Sequence, residues 1–409
     1  MKSIIDGKLP RRLLLMFEIA SLGLILTYRR DSLDIKTLIL AVGLILLVYL
    51  SNYYLLKITY GDVYIFLIVS MLMSIGVIMI YRLSANLGLR QLLWLTIGIV
   101  AFFISYLMII KFDFWNKLIF PYMGISYFLF AVTLVLGDRK HGAINWINFK
   151  GMSVQPAEAI KIALIFILAC YYADNKRFKK YKYGEYFVLA VVYSFIGLLF
   201  VQRDLGTALI FLGVYTGLQY IYSQDRIALR VNAGLFTIGG ITAYLIFDHV
   251  KTRVLTWLNP WPYIDNKGYQ IIQSMFAIAE GSYFGTGLGR GNPYYIPLSY
   301  NDFIFSSIVE EMGIFTGIGI IMLYMIFVYR GFKIALRQRD MFYKILALGI
   351  TLMFGLQAFV IIGGVLKMIP LTGLTLPFVS YGGSSVLFSF IALGILQGAS
   401  EKKTVEVER

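Results

Sequence analysis

Long apolar runs recur along the whole 409-residue chain and leave few folds open to it. Each is roughly 17–25 residues long, the length that one helix needs to cross a bilayer. The runs are continuously apolar, without the alternation of a barrel strand, so they predict helices. We predict an all-α polytopic membrane protein, a single membrane domain over residues 1–409, with about twelve transmembrane helices and both termini on one side. The spans are near 12–28, 37–56, 62–81, 91–110, 115–136, 157–173, 185–201, 206–222, 232–248, 303–329, 343–367 and 378–397.

The charge balance is explained by membrane topology. Charged residues make up only 14% of the chain, against about 25% in soluble domains. The net charge of +15 is typical of a bias of Lys and Arg toward cytoplasmic loops, if the N-terminus is inside. The basic run at 176–182 is then a cytoplasmic cap, so we expect membrane lipid as a partner and no nucleic acid. One cysteine and two histidines argue against a disulfide framework, a zinc site or a histidine triad.

The longest polar segment, residues 250–302, is predicted to be a large extracytoplasmic loop. Long loops in compact proteins are usually functional. Its pivotal acid is Asp265, which chemistry alone does not separate from a solvated turn residue. The glycine string at 285–291 is a weak signal for an anion-binding nest, and a flexible hairpin is the favoured interpretation.

Charged residues at two helix starts are further candidates. Glu158 and Lys161, three residues apart at the start of the sixth span, form either an interfacial structural pair or a functional one. Asp204 is placed to cap the helix after a very short turn. The preceding Arg203 is a candidate partner for a substrate phosphate.

The segment 370–385 combines prolines, glycines and hydroxyl residues within apolar sequence. Irregular backbone at membrane depth is tolerated where it is buried in protein or lines a wet cavity. We therefore predict a broken helix that lines a cavity. Glu310 and Glu311, early in the tenth span, are expected to face the same place.

Six segments in this order resemble the SEDS family of bacterial rod-shape, division and sporulation proteins. They are GAINWI, QPAEAIK, QRDLGTALI, GYQIIQSMFAIAEG with GTGLGRG, NDFIFSSIVEEMG and PLTGLTLPFVSYGGSS, within a SEDS-like core at 137–397. Residues 1–57 would add two N-terminal spans, and an even insertion keeps the downstream topology. The family often has other residues where Asn145, Ala157, Arg203, Asn301 and Ile361 stand here, which bears on substrate contacts more than on the fold.

The resemblance implies an inverting polymerase of peptidoglycan strands in the bacterial cytoplasmic membrane, with its active site on the extracytoplasmic face. The substrate would be lipid II, a disaccharide-pentapeptide on undecaprenyl diphosphate, and Asp265 would be the catalytic base. Basic residues or a divalent cation, Mg²⁺ or Mn²⁺, must stabilise the departing diphosphate, and no metal-ligand set is predicted. The partner would be a class B penicillin-binding protein, a transpeptidase. The predicted substrate-binding residues are Glu158, Lys161, Arg203, Arg253, Gln270, Asp302, Lys367, Ser380, Tyr381 and Ser384.

Two other functions remain open at this point. A lipid II flippase would also need a broken helix, buried charges and a cavity. A non-catalytic scaffold for a penicillin-binding protein would fit the departures at Asn145, Asn301 and Ile361. The acid in the long loop favours the enzyme.

Overall fold

The computed structural model describes residues 8–28, 35–140, 143–149, 152–174 and 184–402, and a helix lies at every predicted span. Ten of the described helices are long and apolar enough to cross a membrane. The 17-residue α14 is shorter, and α1 carries Arg11, Arg12 and Glu18. The helices are α1 Lys8–Tyr28, α2 Ile35–Ile58, α3 Val63–Leu83, α4 Ala85–Lys111, α5 Ile119–Leu136, α6 Pro156–Ala173, α7 Gly184–Gln202, α8 Leu205–Tyr222, α9 Arg226–Ile246, α10 Asp248–Leu258, α11 Tyr269–Gly281, α12 Ile304–Arg337, α13 Met341–Val365 and α14 Gly383–Ala399.

Aspartate caps fix several helix starts. Asp225 accepts hydrogen bonds from the backbone N–H groups of Ile227 and Ala228, at 2.8 and 3.1 Å, and so begins α9 six residues before the predicted span. Arg226 and Arg230, which were expected in a loop, therefore lie in the first turns of α9. The basic run at 176–182 lies outside the described residues.

A small sheet between α5 and α6 adds to the helical architecture. Strands β1 (Asp138–Lys140), β2 (Ala143–Phe149) and β3 (Met152–Val154) form it in the order β1-β2-β3, with both pairs antiparallel. The Nδ2 of Asn148 donates to the Asp138 carboxylate at 2.6 Å across the first pair. Strands this short leave little trace in a hydropathy pattern, so the helical prediction missed them.

The two N-terminal helices pack against α3 and α4. Their buried polar groups point into that contact: Glu18 accepts a hydrogen bond from Ser74, and the Nδ2 of Asn52 donates to the Ser70 hydroxyl at 3.0 Å. A polar group in an apolar environment needs a partner. These two hydrogen bonds therefore fix the positions of α1 and α2 against α3.

The segment predicted as one long loop contains two helices, α10 and α11, and α11 packs against α12. The glycine-rich turn that follows α11 folds over the start of α12. There, the backbone N–H of Gly289 donates to Glu311 Oε2 at 2.8 Å and that of Asn292 donates to Glu310. The anion held by this backbone is therefore the protein's own carboxylate. Arg82 of α3 completes the contact with an ion pair to Glu311 at 3.1 Å.

Glu310 and Glu311 therefore do not lie where the sequence suggested. They were expected to face the broken helix near residue 370, and they instead contact the glycine-rich turn and Arg82. The chain leaves helical geometry at Gly313, with φ 81° and ψ 167°, two residues after Glu311. This break lets the turn approach the α12 backbone, since Ile314 N–H donates to Ser282 O at 2.9 Å.

Residues 366–382, called the irregular segment below, separate α13 from α14 and are not helical, as predicted. Four side chains from three helices, α4, α10 and α13, hold the segment by donating to its backbone carbonyls. The bonds are Trp257 Nε1 to Lys367 O at 3.1 Å, Arg253 Nη1 to Thr372 O at 2.7 Å, Gln357 Nε2 to Thr375 O at 2.9 Å and Gln91 Nε2 to Ser380 O at 3.2 Å. They replace the carbonyl partners that a continuous helix would have supplied.

Candidate active site

An apolar groove runs beside the irregular segment, as the broken-helix prediction requires. It has a volume of about 350 Å³ and lies between α7, α8, α9 and α10. Aromatic and aliphatic side chains such as Phe200, Leu212 and Phe236 line most of it, and Pro370 and Thr372 close one side. Among the described residues of the lining, Arg253 alone is charged. The groove thus joins a long apolar surface to a single cation.

Arg253 is held against the irregular segment at the point of closest approach. Gly373 has φ 74° there, and a Cβ built on it would lie 2.9 Å from Arg253 Nη2 and 3.6 Å from Asp302 Oδ2. Only glycine therefore allows the guanidinium and the carboxylate to meet this backbone. Burial lowers the pKa of Arg253, while the charges of Asp302 and Asp204 raise it. These two acids favour the cationic form that an anionic ligand needs.

Asp204 links the start of α8 to the neighbouring elements. Its Oδ1 accepts from Thr207 N–H at 3.1 Å, which confirms the predicted cap. Its Oδ2 accepts from Gln155 Nε2 at 2.8 Å and from Asn145 Nδ2 at 3.1 Å. The backbone N–H of Gln155 in turn donates to the Ser384 hydroxyl at 3.2 Å. One buried carboxylate thus ties the sheet, α6 and α8 together near the start of α14.

The Glu158–Lys161 pair lies inside the bundle. The two side chains are 2.8 Å apart and both are buried. Lys161 Nζ also donates to Gln357 Oε1 at 3.1 Å. The Nε2 of that glutamine donates to Thr375 O, and the Thr375 hydroxyl bonds Ser385 Oγ at 2.8 Å. The pair therefore supports the irregular segment from within.

Asp265 sits on an exposed turn between α10 and α11. Successive backbone bonds shape the turn, including Gly268 N–H to Tyr263 O at 2.8 Å. Lys267 Nζ donates to Thr252 Oγ1 at 3.2 Å, which places the turn beside α10, one residue from Arg253 along that helix. No partner of the Asp265 carboxylate is found among the residues that the structure describes. It faces solvent and is accessible to a ligand.

The other predicted binding residues fall into two groups. Arg203 is exposed in the short turn before α8 with φ 61°, and Lys367 is half-buried at the start of the irregular segment with φ 58°. Ser380 and Tyr381 make hydrogen bonds to backbone carbonyls. The Ser380 hydroxyl donates to Asn301 O at 2.7 Å, and Tyr381 N–H donates to Tyr300 O at 2.9 Å.

Gln270, in the first turn of α11, makes only a long contact, from its Nε2 to Pro297 O at 3.5 Å. Lys367 is part of the irregular segment, Arg253 contacts it, and Arg203 lies near His249, one turn before Arg253 on α10. Ser380, Tyr381 and Gln270 are engaged with backbone groups.

His249 and Gln357 also lie at this site, and neither was among the catalytic or binding residues predicted from the sequence. His249 lies one helical turn before Arg253 on α10, a spacing that places both on one face. Burial lowers the pKa of His249, and the charges of Arg253 and Arg203 lower it further. That spacing was visible in the sequence. Gln357 carried no signal, because its partners Lys161 and Thr375 are brought to it only by the packing of α6 and the irregular segment against α13.

Comparisons with known proteins agree with this architecture. The chain is 36% identical over 369 residues to the peptidoglycan glycosyltransferase RodA of Mycobacterium tuberculosis, covering 82% of this chain and 77% of that relative. It is 34% identical over 362 residues to the stage V sporulation protein E of Bacillus subtilis, covering 84% of this chain and 98% of the relative.

Two solved structures share the fold. One, from work on how a peptidoglycan synthase complex coordinates polymerization and crosslinking, aligns with a TM-score of 0.70 and 26% identity over 84% of this chain and 99% of the other. The rod shape determining protein RodA of Thermus thermophilus aligns with a TM-score of 0.64 and 24% identity over 84% of this chain and 97% of that one. The family model for the FtsW, RodA and SpoVE cell cycle proteins matches residues 62–405, and the chain belongs to this family.

Proposed function

We propose that this chain is a peptidoglycan glycosyltransferase that polymerises lipid II, with Asp265 as the catalytic base. The main support is the position of Arg253. This cation lines the apolar groove, and its helix, α10, lies beside the Asp265 turn. A substrate with a polyprenyl tail, a diphosphate and a sugar has these three parts in this order. The curated relative from Mycobacterium tuberculosis bears the name of this activity.

The groove would hold the polyprenyl chain. Its lining is almost wholly apolar, so burying the chain there removes hydrocarbon surface from water at about 25 cal/mol per Å². Arg253 would bind the diphosphate, because a guanidinium matches phosphate oxygens in pairs. Lys367 in the irregular segment and Arg203, which lies near His249 on the same helix face as Arg253, are further cations that would contact the diphosphate. Asp302 would hold Arg253 in place rather than contact substrate.

Asp265 would accept the proton of the attacking sugar hydroxyl. That oxygen forms the new glycosidic bond to the anomeric carbon as the carbon–oxygen bond to the diphosphate breaks, and direct displacement inverts the configuration. Negative charge grows on the departing diphosphate, where fixed cations stabilise the transition state more than the ground state. A diphosphate leaves readily, so one carboxylate suffices.

A protein-built metal site is not part of this proposal. Within the described ranges, no group of three His, Cys, Asp or Glu side chains is placed to hold an ion. A Mg²⁺ or Mn²⁺ ion at the diphosphate would therefore take most of its ligands from the substrate and water. Such an ion would offset the charge on the leaving group.

We further propose that the Asp265 turn lies on the extracytoplasmic face with both termini in the cytoplasm. The distribution of basic residues supports this orientation. A class B penicillin-binding protein would supply cross-linking, in line with the solved synthase complex that coordinates polymerization and crosslinking.

The decisive experiment is polymerisation of fluorescent lipid II by the purified full chain in detergent. Asp265→Asn should lower the rate by about 10²- to 10⁴-fold, the usual contribution of a positioned base. Asp248→Asn, which alters an exposed acid at the start of α10, is the matched control and should polymerise normally. Unchanged polymerisation by Asp265→Asn would refute the assignment of the base.

Arg253→Gln tests the diphosphate contact in the same assay. We expect weaker substrate binding together with slower chemistry, because the cation acts on both bound substrate and leaving group. A protein that only moves lipid II across a bilayer would give no polymer in detergent, with or without its partner. That outcome would favour the flippase.

A further inference from the structure

A second cavity, of about 560 Å³, lies at the opposite end of the bundle from the groove. It is enclosed by the α2–α3 connection, the last turns of α12 and the end of α14. The 25-residue α13 starts beside it and ends at the irregular segment, so about 37 Å of helix separates the two sites. The proposed reaction makes no use of this cavity.

The acids in its wall are already paired within the protein. Asp62 accepts two hydrogen bonds from Arg330 Nη1, at 2.9 and 2.7 Å, and caps α3 through Tyr64 N–H at 3.0 Å. The guanidinium of Arg330 also lies over the Tyr64 ring, 4.1 Å from its centroid. Glu401 Oε1 accepts from Tyr60 N–H at 3.0 Å and from Gly61 N–H at 3.2 Å. Arg330 thus neutralises Asp62, whereas Glu401 is held by uncharged donors and keeps its charge. With Lys333 and Arg337, the wall carries three cations against two carboxylates.

Two cations of the wall lack such partners. Lys333 and Arg337 lie four residues apart on α12 and therefore on one face of the helix. In the part of the chain that the structure describes, neither side chain has a hydrogen-bond or ion-pair partner. The wall therefore presents two adjacent positive charges to the cavity, which suits a phosphate group.

Gln338 indicates that the ligand of this cavity carries a hydrogen-bonding group in addition to a phosphate. Its side chain lines the cavity and is only 3% exposed, yet neither Nε2 nor Oε1 has a hydrogen-bond partner among the described residues. A buried amide left unpaired at both ends is costly, so a ligand that accepts from one atom and donates to the other would be favoured. A hydroxyl group does both.

We infer that this cavity binds the headgroup of a phosphatidylglycerol molecule from the leaflet at this end of the protein. Lys333 and Arg337 bind the phosphodiester, and Gln338 bonds the glycerol hydroxyls. Leu336, between the two ligating positions of α12, is 73% exposed, as expected where the helix meets acyl chains. This apolar neighbour favours a lipid over a soluble phosphate ester.

Lipid binding to the purified full chain tests the inference by native mass spectrometry after delipidation. Wild-type protein should retain phosphatidylglycerol about tenfold or more better than phosphatidylcholine, whose headgroup offers no hydroxyl and carries its own cation. Lys333→Ala/Arg337→Ala should abolish that preference. Arg339→Ala, an exposed cation two residues beyond Arg337 and outside the cavity, should keep it.

The hydroxyl contact has its own test. Phosphatidic acid carries the phosphate without the glycerol headgroup, so Gln338→Leu should weaken binding of phosphatidylglycerol and leave that of phosphatidic acid unchanged. Equal retention of all three lipids by the wild type would overturn the inference without any variant. Displacement of the bound lipid by an equal concentration of soluble glycerol 3-phosphate would show that the site takes a soluble ester, and the lipid assignment would be wrong.

Discussion

At the scale of single residues, the carboxylate of Asp204 carries three hydrogen bonds from three parts of the fold. Only one was predictable. An aspartate directly before an apolar helix predicts a cap, whereas Asn145 and Gln155 are brought to it by packing across 59 and 49 residues of chain. The family often has another residue at 145, and the asparagine here donates to Asp204. The residue that departs from the family pattern therefore takes part in the hydrogen bonds of the site.

Asp204→Ala should destabilise the protein by about 2–4 kcal/mol, since it removes a cap and leaves two buried amide donors unpaired. Asp225→Ala, at the more open cap of α9, should cost only about 1 kcal/mol. Thermal unfolding in detergent, followed by dye binding to Cys170, which is buried in the folded state, measures both. Equal effects of the two substitutions would mean that the amide bonds contribute nothing.

His249 should make stability depend on pH. Burial, together with the charges of Arg253 and Arg203, holds the pKa of His249 below its usual 6.5. The unfolded chain therefore binds this proton at a higher pH than the folded chain, and the free energy of unfolding falls as pH drops through about 6.5. His249→Gln should reduce that fall. The measurement is the unfolding midpoint of both proteins at about pH 7.5 and about pH 5.5, and parallel shifts would contradict the prediction.

At the scale of elements, α12 contains the break that sequence patterns did not reveal. The run from 303 to 329 is apolar apart from Glu310, Glu311 and a few hydroxyl residues, and it predicted one uninterrupted span. The interruption at Gly313 depends on the glycine-rich turn lying against it, and a Cβ there would come 2.3 Å from Tyr283 O. By contrast, the irregular segment was predictable, because prolines and glycines mark it directly.

Gly313→Ala should destabilise the protein by at least about 2 kcal/mol, because alanine is strained at this positive φ and clashes with Tyr283. Gly319, on the same helix, has open space where a Cβ would point. Gly319→Ala should therefore stabilise the helix by about 0.5–1 kcal/mol. Opposite shifts of the unfolding midpoint are expected, and a neutral Gly313→Ala would show that the break can be straightened.

At the scale of the whole molecule, hydropathy predicted the positions of twelve helices, and a helix lies at each of them. It did not predict which helices contact each other, because those contacts depend on packing. The family model begins at residue 62, so α1 and α2 lie outside its match. Sequence identified them as an addition, and the structure shows where they pack. Their partners on α3 have acceptors of their own within that helix. Ser70 Oγ donates to Phe66 O at 2.8 Å, and Ser74 Oγ lies 2.8 Å from Ser70 O, which takes its single proton when Glu18 is absent.

Deletion of residues 1–57 should therefore leave a folded polymerase. Ser70 and Ser74 keep acceptors within α3 when Asn52 and Glu18 are removed, so neither serine is stranded against lipid, whereas the Tyr81 hydroxyl loses its bond to Thr37. We expect polymerisation within about threefold of the full chain and a lower unfolding midpoint, from the lost packing. Loss of polymerisation by a well-folded truncated protein would instead assign α1 and α2 a part in catalysis.

The four bonds that hold the irregular segment have a consequence for mutational tolerance. Each is accepted by a backbone carbonyl, and each is donated by a side chain elsewhere: Gln91, Arg253, Trp257 and Gln357. Every residue type has a carbonyl, so Lys367, Thr372, Thr375 and Ser380 can change without loss of these bonds, whereas the donors cannot. In a saturation library, intolerance should therefore concentrate on the distant donors more than on the four acceptor positions.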